Sequence, residues 1–184
     1  MKLVLENWRQ FLNELQRSEF VKIASGDGDF IDHEYRKEHE VENGTLKFTG
    51  LKGDTASFSM EGFSKPQDGP YTIRIKFLNF YDILDDDETY PDVRQKATAL
   101  VTSDANDYKM DCTCKSFRYH YRYVANLKNG SIDPENRPAN ITNPGNRGII
   151  CKHSRVVTEV FPFYHSSFIR HIKKMKENQR GGII

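Results

Sequence analysis

Hydrophobic positions along the chain change their period several times. Leu5, Trp8, Phe11, Leu12 and Leu15 recur at helical spacing, with Glu6, Arg9, Gln10 and Asn13 between them. This predicts an amphipathic N-terminal helix of about three turns. So short a helix is marginal alone and must dock, either on the chain's own core or on a neighbouring subunit. From Glu19 the pattern turns to period two. Segments 19–25, 45–51, 55–61 and 71–84 alternate or run apolar, and Gly26, Gly28, Gly44, Gly53, Gly62 and the stretch from Pro66 to Pro70 punctuate them. Short strands between turn signals predict an antiparallel sheet, with Lys52-Gly53-Asp54 as a hairpin turn.

Beyond Leu84 the helical period returns. The acidic run Asp85-Asp86-Asp87-Glu88 reads as a solvated loop. Pro91 opens a helix over 91–101, where Val93, Ala97, Leu100 and Val101 share a face. Tyr108 to Asp111 reads as a short strand leading into Cys112. Phe117, Tyr121 and Val124 set a helix over 115–127 that Asn129-Gly130 ends, and 129–149 is a turn-rich loop. A helix from Lys152 to Phe161 stops at Pro162, and a last one runs from about Ser166 to Asn178.

Composition narrows the class. With 184 residues, 37% hydrophobic and 29% charged, the chain has room for one domain or two small ones and is neither a disordered tail nor a collagenous repeat. No window approaches the ~20 apolar residues of a membrane span, so no membrane contact is expected. Glu6 and Arg9 break the apolar start, which argues against a secretory signal and for a cytoplasm-like compartment. The overall charge of +1 conceals a division. Residues 1–102 carry 13 Lys and Arg against 19 Asp and Glu, whereas residues 103–184 carry 14 against 7. This suggests an acidic helix-plus-sheet region at 1–102 and a basic region at 103–184, as two units or one compact domain. Such halves fit different partners, or attract one another in an assembly.

All three cysteines lie in the basic part. Cys112-x-Cys114 is followed, 36 residues on, by Cys151-x-His153. In a reducing compartment clustered cysteines are more often metal ligands or reactive thiols than disulfides. Three thiols and one imidazole are a standard tetrahedral zinc set. Residues two apart on an extended segment point the same way, so Cys112 and Cys114 can chelate one ion. Residues two apart on a regular helix do not share a face. Cys151 and His153 therefore belong in the irregular turn at a helix start, just after Gly148. A closed set of four leaves no position for water, so the expected zinc is structural. The alternative is three ordinary buried thiols and a surface histidine.

The pattern CxC, spacer, CxH resembles the SWIM-type zinc finger, with Cys112, Cys114, Cys151 and His153 at its four ligand positions. The resemblance implies a strand–strand–helix unit around one zinc, in a family linked to nucleic-acid or protein binding. The spacer here is long and turn-rich for that family, which suggests an inserted loop. A second likeness is broader: LENWRQFLNE and CTCKSFRYHYRYVAN…ITNPGNRGIICKH look like virion structural proteins of large tailed phages. That likeness implies a component of capsid, neck, tail or baseplate, made in the host cytoplasm and held by other virion proteins in a symmetric assembly.

Four weaker signals remain. Aromatic and basic residues interleave over 115–123, either to stack single-stranded nucleic acid or to pack one aromatic face on the zinc unit, and packing is the better expectation. Arg170, Lys173, Lys174, Lys176 and Arg180 make the last helix basic, suited to phosphates, to an acidic subunit, or simply to water. The oxygen-rich segment from Asp27 to Glu34 misses the calcium-loop spacing and reads as a turn before an exposed strand. Sequons at Asn43, Asn129 and Asn140 carry no meaning without secretion. GxSxG, P-loop and HExxH patterns are absent, which argues against catalysis; a hydrolase built from distant residues offers none to nominate.

The sequence thus predicts an α+β fold: an N-terminal helix, a small antiparallel β-sheet, then a zinc-stabilised strand–helix unit with C-terminal helices. The predicted function is a non-enzymatic structural component of a tailed-phage virion. The alternative is a nucleic-acid-binding SWIM module using the basic C-terminal part.

Overall fold

Alternating side chains build one four-stranded antiparallel sheet, ordered β1-β2-β3-β4, in a computed structural model that describes residues 46–61, 70–102, 108–146 and 148–181. The strands are β1 (Leu46–Lys52), β2 (Thr55–Met60), β3 (Tyr71–Phe77) and β4 (Tyr108–Cys112). The helix predicted at the N-terminus, the strand predicted at 19–25 and the segment from Asp27 to Glu34 lie outside the described residues.

The inward face of the sheet carries Ala56, Phe58, Met60, Ile73, Ile75 and Phe77, all fully buried. Their alternate neighbours Ser57, Ser59, Arg74 and Lys76 face the other side. Lys52 pairs with Thr55 across the expected hairpin. Its turn needs Gly53, which has φ +57 and whose Cβ would meet Tyr81 Oη at 3.3 Å.

Helices cover the inward face. They are α1 (Phe80–Asp85), α2 (Val93–Thr102), a π-helical turn (Phe117–Tyr121) running into α3 (Arg122–Leu127), α4 (Lys152–Val160), and α5 (His165–Gly181). On α5, Phe168 and Ile172 are fully buried. The Phe168 ring lies 5.3 Å from Phe48 and 5.7 Å, edge-on, from Phe77. Burying side chains of this size contributes about 1.5–3 kcal/mol each. Tyr164 donates to Leu46 O at 2.9 Å, tying the helical layer to the sheet edge. A single core cluster runs from Leu46 to Ile172 and draws on both the acidic and the basic part. No helix among the described residues is long and apolar enough to cross a membrane.

Three boundaries differ from those the sequence predicts. The apolar run 71–84 is not one strand: β3 stops at Phe77 and α1 begins at Phe80. Phe80, Ile83 and Leu84 are buried at i, i+3 and i+4, a helical pattern fused to a period-two one. Pro91 lies ahead of α2 rather than in its first turn, because Asp92 is the cap. Gln95 N donates to Asp92 Oδ1 at 2.8 Å, while Asp92 N donates to Gln95 Oε1 at 3.3 Å, forming a reciprocal capping box. Pro162 does not end the helical path. A 3₁₀ turn, Phe161–Tyr164, carries the chain into α5, since a missing N–H is tolerated near a helix start.

Lys96 on α2 is fully buried, a feature the sequence pattern does not reveal. Its ammonium donates to Leu84 O at 2.6 Å and Asp86 O at 3.2 Å, and pairs with Asp87 Oδ1 at 2.7 Å. It thus caps the C-terminal carbonyls of α1, where the helix dipole favours a cation. The same pairing holds the Asp87 carboxyl below its usual range, chiefly through the hydrogen bond from Lys96. Lys96→Met keeps the stem but strands those carbonyls. It is expected to cost about 1–3 kcal/mol in urea denaturation; an unchanged midpoint would show that the ammonium contributes nothing.

Candidate metal centre

The four residues of the CxC and CxH pairs converge. Cys112 ends β4 opposite Ile73 of β3. The pairing continues one residue past the strand: Thr113 N donates to Thr72 O at 3.0 Å, and Thr72 N to Thr113 Oγ1 at 2.9 Å. This holds Cys114 at the entry to the π-helical turn. There Cys114 Sγ accepts from Phe117 N at 3.2 Å, and its carbonyl accepts from Arg118 N at 3.0 Å. Cys151 repeats the arrangement as the N-cap of α4. Its sulfur accepts from Ser154 N at 3.4 Å and its carbonyl from Arg155 N at 3.0 Å. Gly148, at φ +69, turns the chain toward this cap. Two sulfurs therefore sit at helical N-termini, where amide hydrogens and the dipole favour thiolate.

His153, in the first turn of α4, directs Nδ1 at the sulfurs. Nδ1 is 4.0 Å from Cys112 Sγ and 3.9 Å from Cys151 Sγ. One ligand atom from each residue lies within 4.8 Å of all the others, and all four residues are buried. Tetrahedral bonds of ~2.3 Å to sulfur and ~2.0 Å to nitrogen require S···N separations of ~3.6 Å and S···S separations of ~3.8 Å. The two S···N edges at 3.9 and 4.0 Å are within a few tenths of an ångström of that size, and the group as a whole, within 4.8 Å, must contract to close around one ion. Three sulfurs also exclude the hard, oxygen-seeking cations. This group can hold a metal ion, and it is the one such group of His, Cys, Asp and Glu among the described residues.

Burial pushes the Cys112 thiol well up. For Cys114, its hydrogen bond with Cys112 pulls down, but the bond with Cys151 and burial outweigh it, and this thiol also lies above its usual range. For Cys151 burial opposes ionisation, yet its hydrogen-bond contacts with Cys112, Cys114 and His153 overcome it and hold this thiol below the usual range. Three crowded sulfurs cannot all ionise without a cation, so charge settles on one. Metal uptake must therefore displace the protons of Cys112 and Cys114, and affinity must fall as pH falls. Metal affinity is expected to weaken as pH falls, by up to about tenfold per pH unit for each proton released. Chelator competition at two pH values measures this; a pH-independent affinity would contradict it.

Around the four ligands lies a shell that the spacing does not announce. The Tyr71 ring covers His153, with centroids 4.4 Å apart. His153 Nε2 is buried and has no hydrogen-bond partner, so Nδ1 is the nitrogen the fold commits to the cluster. Asp111, 2% exposed, lies beside Cys112 in sequence and receives Arg74 Nη2 and Arg122 Nη2, each at 2.6 Å. Arg74 also meets Asp133 of the 129–149 loop at 2.5 Å. Paired with these carboxylates, and first through the hydrogen bond to Asp111, Arg74 is held in its charged form.

That loop is fastened to the site. Met110 N donates to Gly130 O at 2.8 Å, and Ile132 N to Met110 O at 3.1 Å. Further along, Thr142 Oγ1 donates to Tyr119 O at 2.5 Å and Asn143 Nδ2 to His120 O at 2.9 Å. The interleaved 115–123 segment divides: Phe117 and Tyr121 enter the core, while Arg118 and Tyr119 stay outside. On α5, Arg170, Lys173 and Lys174 are exposed. Lys176 lies 4.0 Å from Asp87.

Comparison of the chain with models of known protein families, with curated proteins and with solved structures finds no match.

Proposed function

We propose that Cys112, Cys114, Cys151 and His153 hold one structural zinc ion, and that the protein is a non-enzymatic structural component of a tailed-phage virion. The observation that carries the first half is the burial of four zinc-type donors within 4.8 Å of one another. Zinc is favoured because it takes three thiolates and an imidazole in a tetrahedron and has no redox chemistry of its own. Four protein ligands leave no open position, so the ion supports folding rather than activating water. It joins the end of β4 and the π-helical turn to the start of α4, across the 36 residues that lie between Cys114 and Cys151. Closing so long a loop otherwise costs chain entropy.

The second half draws on the likeness of the N-terminal segment and most of 110–155 to virion proteins and on the split between an acidic and a basic part. Such a division suits a subunit held between unlike neighbours. Mass spectrometry of purified particles tests it. The expected result is this chain at fixed stoichiometry in intact virions. Its absence from particles, with the chain accumulating as a free monomer in infected cells, would overturn the virion reading and leave the zinc reading untouched.

A further inference from the structure

The 129–149 loop and the π-helical turn enclose a cleft of about 390 Å³, lined by Arg118, Tyr119, Glu135, Arg137, Ile141 and Thr142 among others. Its parts are fixed rather than fortuitous. Thr142 is hydrogen-bonded to the Tyr119 carbonyl and Asn143 to the His120 carbonyl, so the loop wall is attached to the helical floor. Asn126 Nδ2 holds the Glu135 carbonyl at 3.2 Å. Within the wall, Arg137 grips Glu135 in a two-pronged pair, Nε to Oε1 at 2.9 Å and Nη2 to Oε2 at 2.7 Å. The hydrogen bond from the Arg137 side chain pulls the Glu135 carboxyl down to about 2. That pair is internally neutral and leaves Arg118 as the uncompensated charge of the cleft.

Arg118 has no carboxylate partner among the described residues. Its guanidinium instead lies over the Tyr119 ring, 5.5 Å from the centroid. Tyr119 is 50% exposed and Ile141 is 95% exposed. A fold that buries Phe117 and Tyr121 yet turns a ring, a cation and an aliphatic side chain outward into one cleft has separated two tasks within one segment. We infer that this cleft binds single-stranded nucleic acid, with a base stacked against Tyr119 and the adjoining phosphate drawn to Arg118. Unstacked bases offer the flat faces that ring and guanidinium recognise, and their backbone supplies the anion. A duplex hides those faces, so it binds less well. The acceptor-only phosphate also suits a cleft whose one carboxylate is already engaged. The inference goes beyond the structural reading and uses it only for the anchorage of the loop.

The test uses the full-length, zinc-loaded chain and fluorescence anisotropy with a labelled oligothymidylate of about 16 nucleotides, the matching duplex, and a polyglutamate peptide. The prediction is binding that prefers the single strand and weakens as salt rises. Tyr119→Ala and Arg118→Glu should each weaken it by about tenfold, with circular dichroism and metal content unchanged. Arg170→Glu on α5 should leave it within about twofold, since a charge that does not line the cleft adds little beyond general attraction. Equal losses in all three variants would mean diffuse electrostatics and overturn the inference. No binding at low salt, or equal affinity for polyglutamate with the same variant sensitivity, would overturn it too. Metal content separates a failed inference from a failed zinc reading.

Discussion

Cys114→Ser is expected to unfold the region from Tyr108 to Val160, as loss of far-ultraviolet ellipticity and rapid proteolytic cleavage within the 129–149 loop. Serine isolates the metal term. Its hydroxyl can still accept from Phe117 N, as the sulfur does at 3.2 Å, and serine is a preferred helix cap. What it cannot supply is a thiolate. Structural zinc contributes about 10–16 kcal/mol in zinc-finger peptides, and that binding energy is also folding energy. Forfeiting most of it would consume the ~5–15 kcal/mol margin of an ordinary domain. Were Cys114 merely a buried thiol, the same change would cost about 1–3 kcal/mol and leave a folded protein. A strong chelator added to the unaltered chain should reproduce the variant's behaviour. A folded variant indifferent to chelator would reject the metal reading.

Asp111→Ala should destabilise the fold by about 3 kcal/mol without removing any ligand. The carboxylate is 2% exposed and bonded to two guanidiniums, from Arg74 and Arg122. Removing the anion leaves Arg122, whose side chain is 16% exposed and whose Nε already lacks a partner, facing Arg74 with nothing between them. Breaking buried pairs typically costs about 3–5 kcal/mol. The lower figure applies because Arg74 is about one-third exposed and keeps Asp133. Zinc content should be unchanged, and urea denaturation should register the loss. A shift under about 1 kcal/mol would mean that water replaces the carboxylate without penalty.

The candidate centre was legible in the sequence because chelation imposes local spacing. A strand end places Cys112 near Cys114, and a helix entry places Cys151 near His153, so each pair announces itself within three residues. Which pair meets which needs no further information when the chain has only three cysteines. The hairpin at Gly53 and the alternation of β2 and β3 were legible for the same local reason. Asp111 was not. Its arginines lie 37 residues before it and 11 after it, and an isolated aspartate in a strand carries no mark of its partners. Lys96 was hidden likewise, since on a helix surface pattern a lysine reads as solvated. The end of β3 was missed because period two and period 3.6 overlap in Phe77 to Leu84, both apolar. The π-helical turn has no propensity signature, and the bonds that its Tyr119 and His120 carbonyls accept from Thr142 and Asn143 join residues 23 apart.

The most direct test is elemental analysis of the chain purified without chelator, paired with thiol titration of the folded protein. The account predicts one zinc per polypeptide and three sulfurs that resist a thiol reagent until the ion is removed. A well-folded protein that carries no metal after zinc has been supplied, its thiols reacting as independent groups, would contradict it.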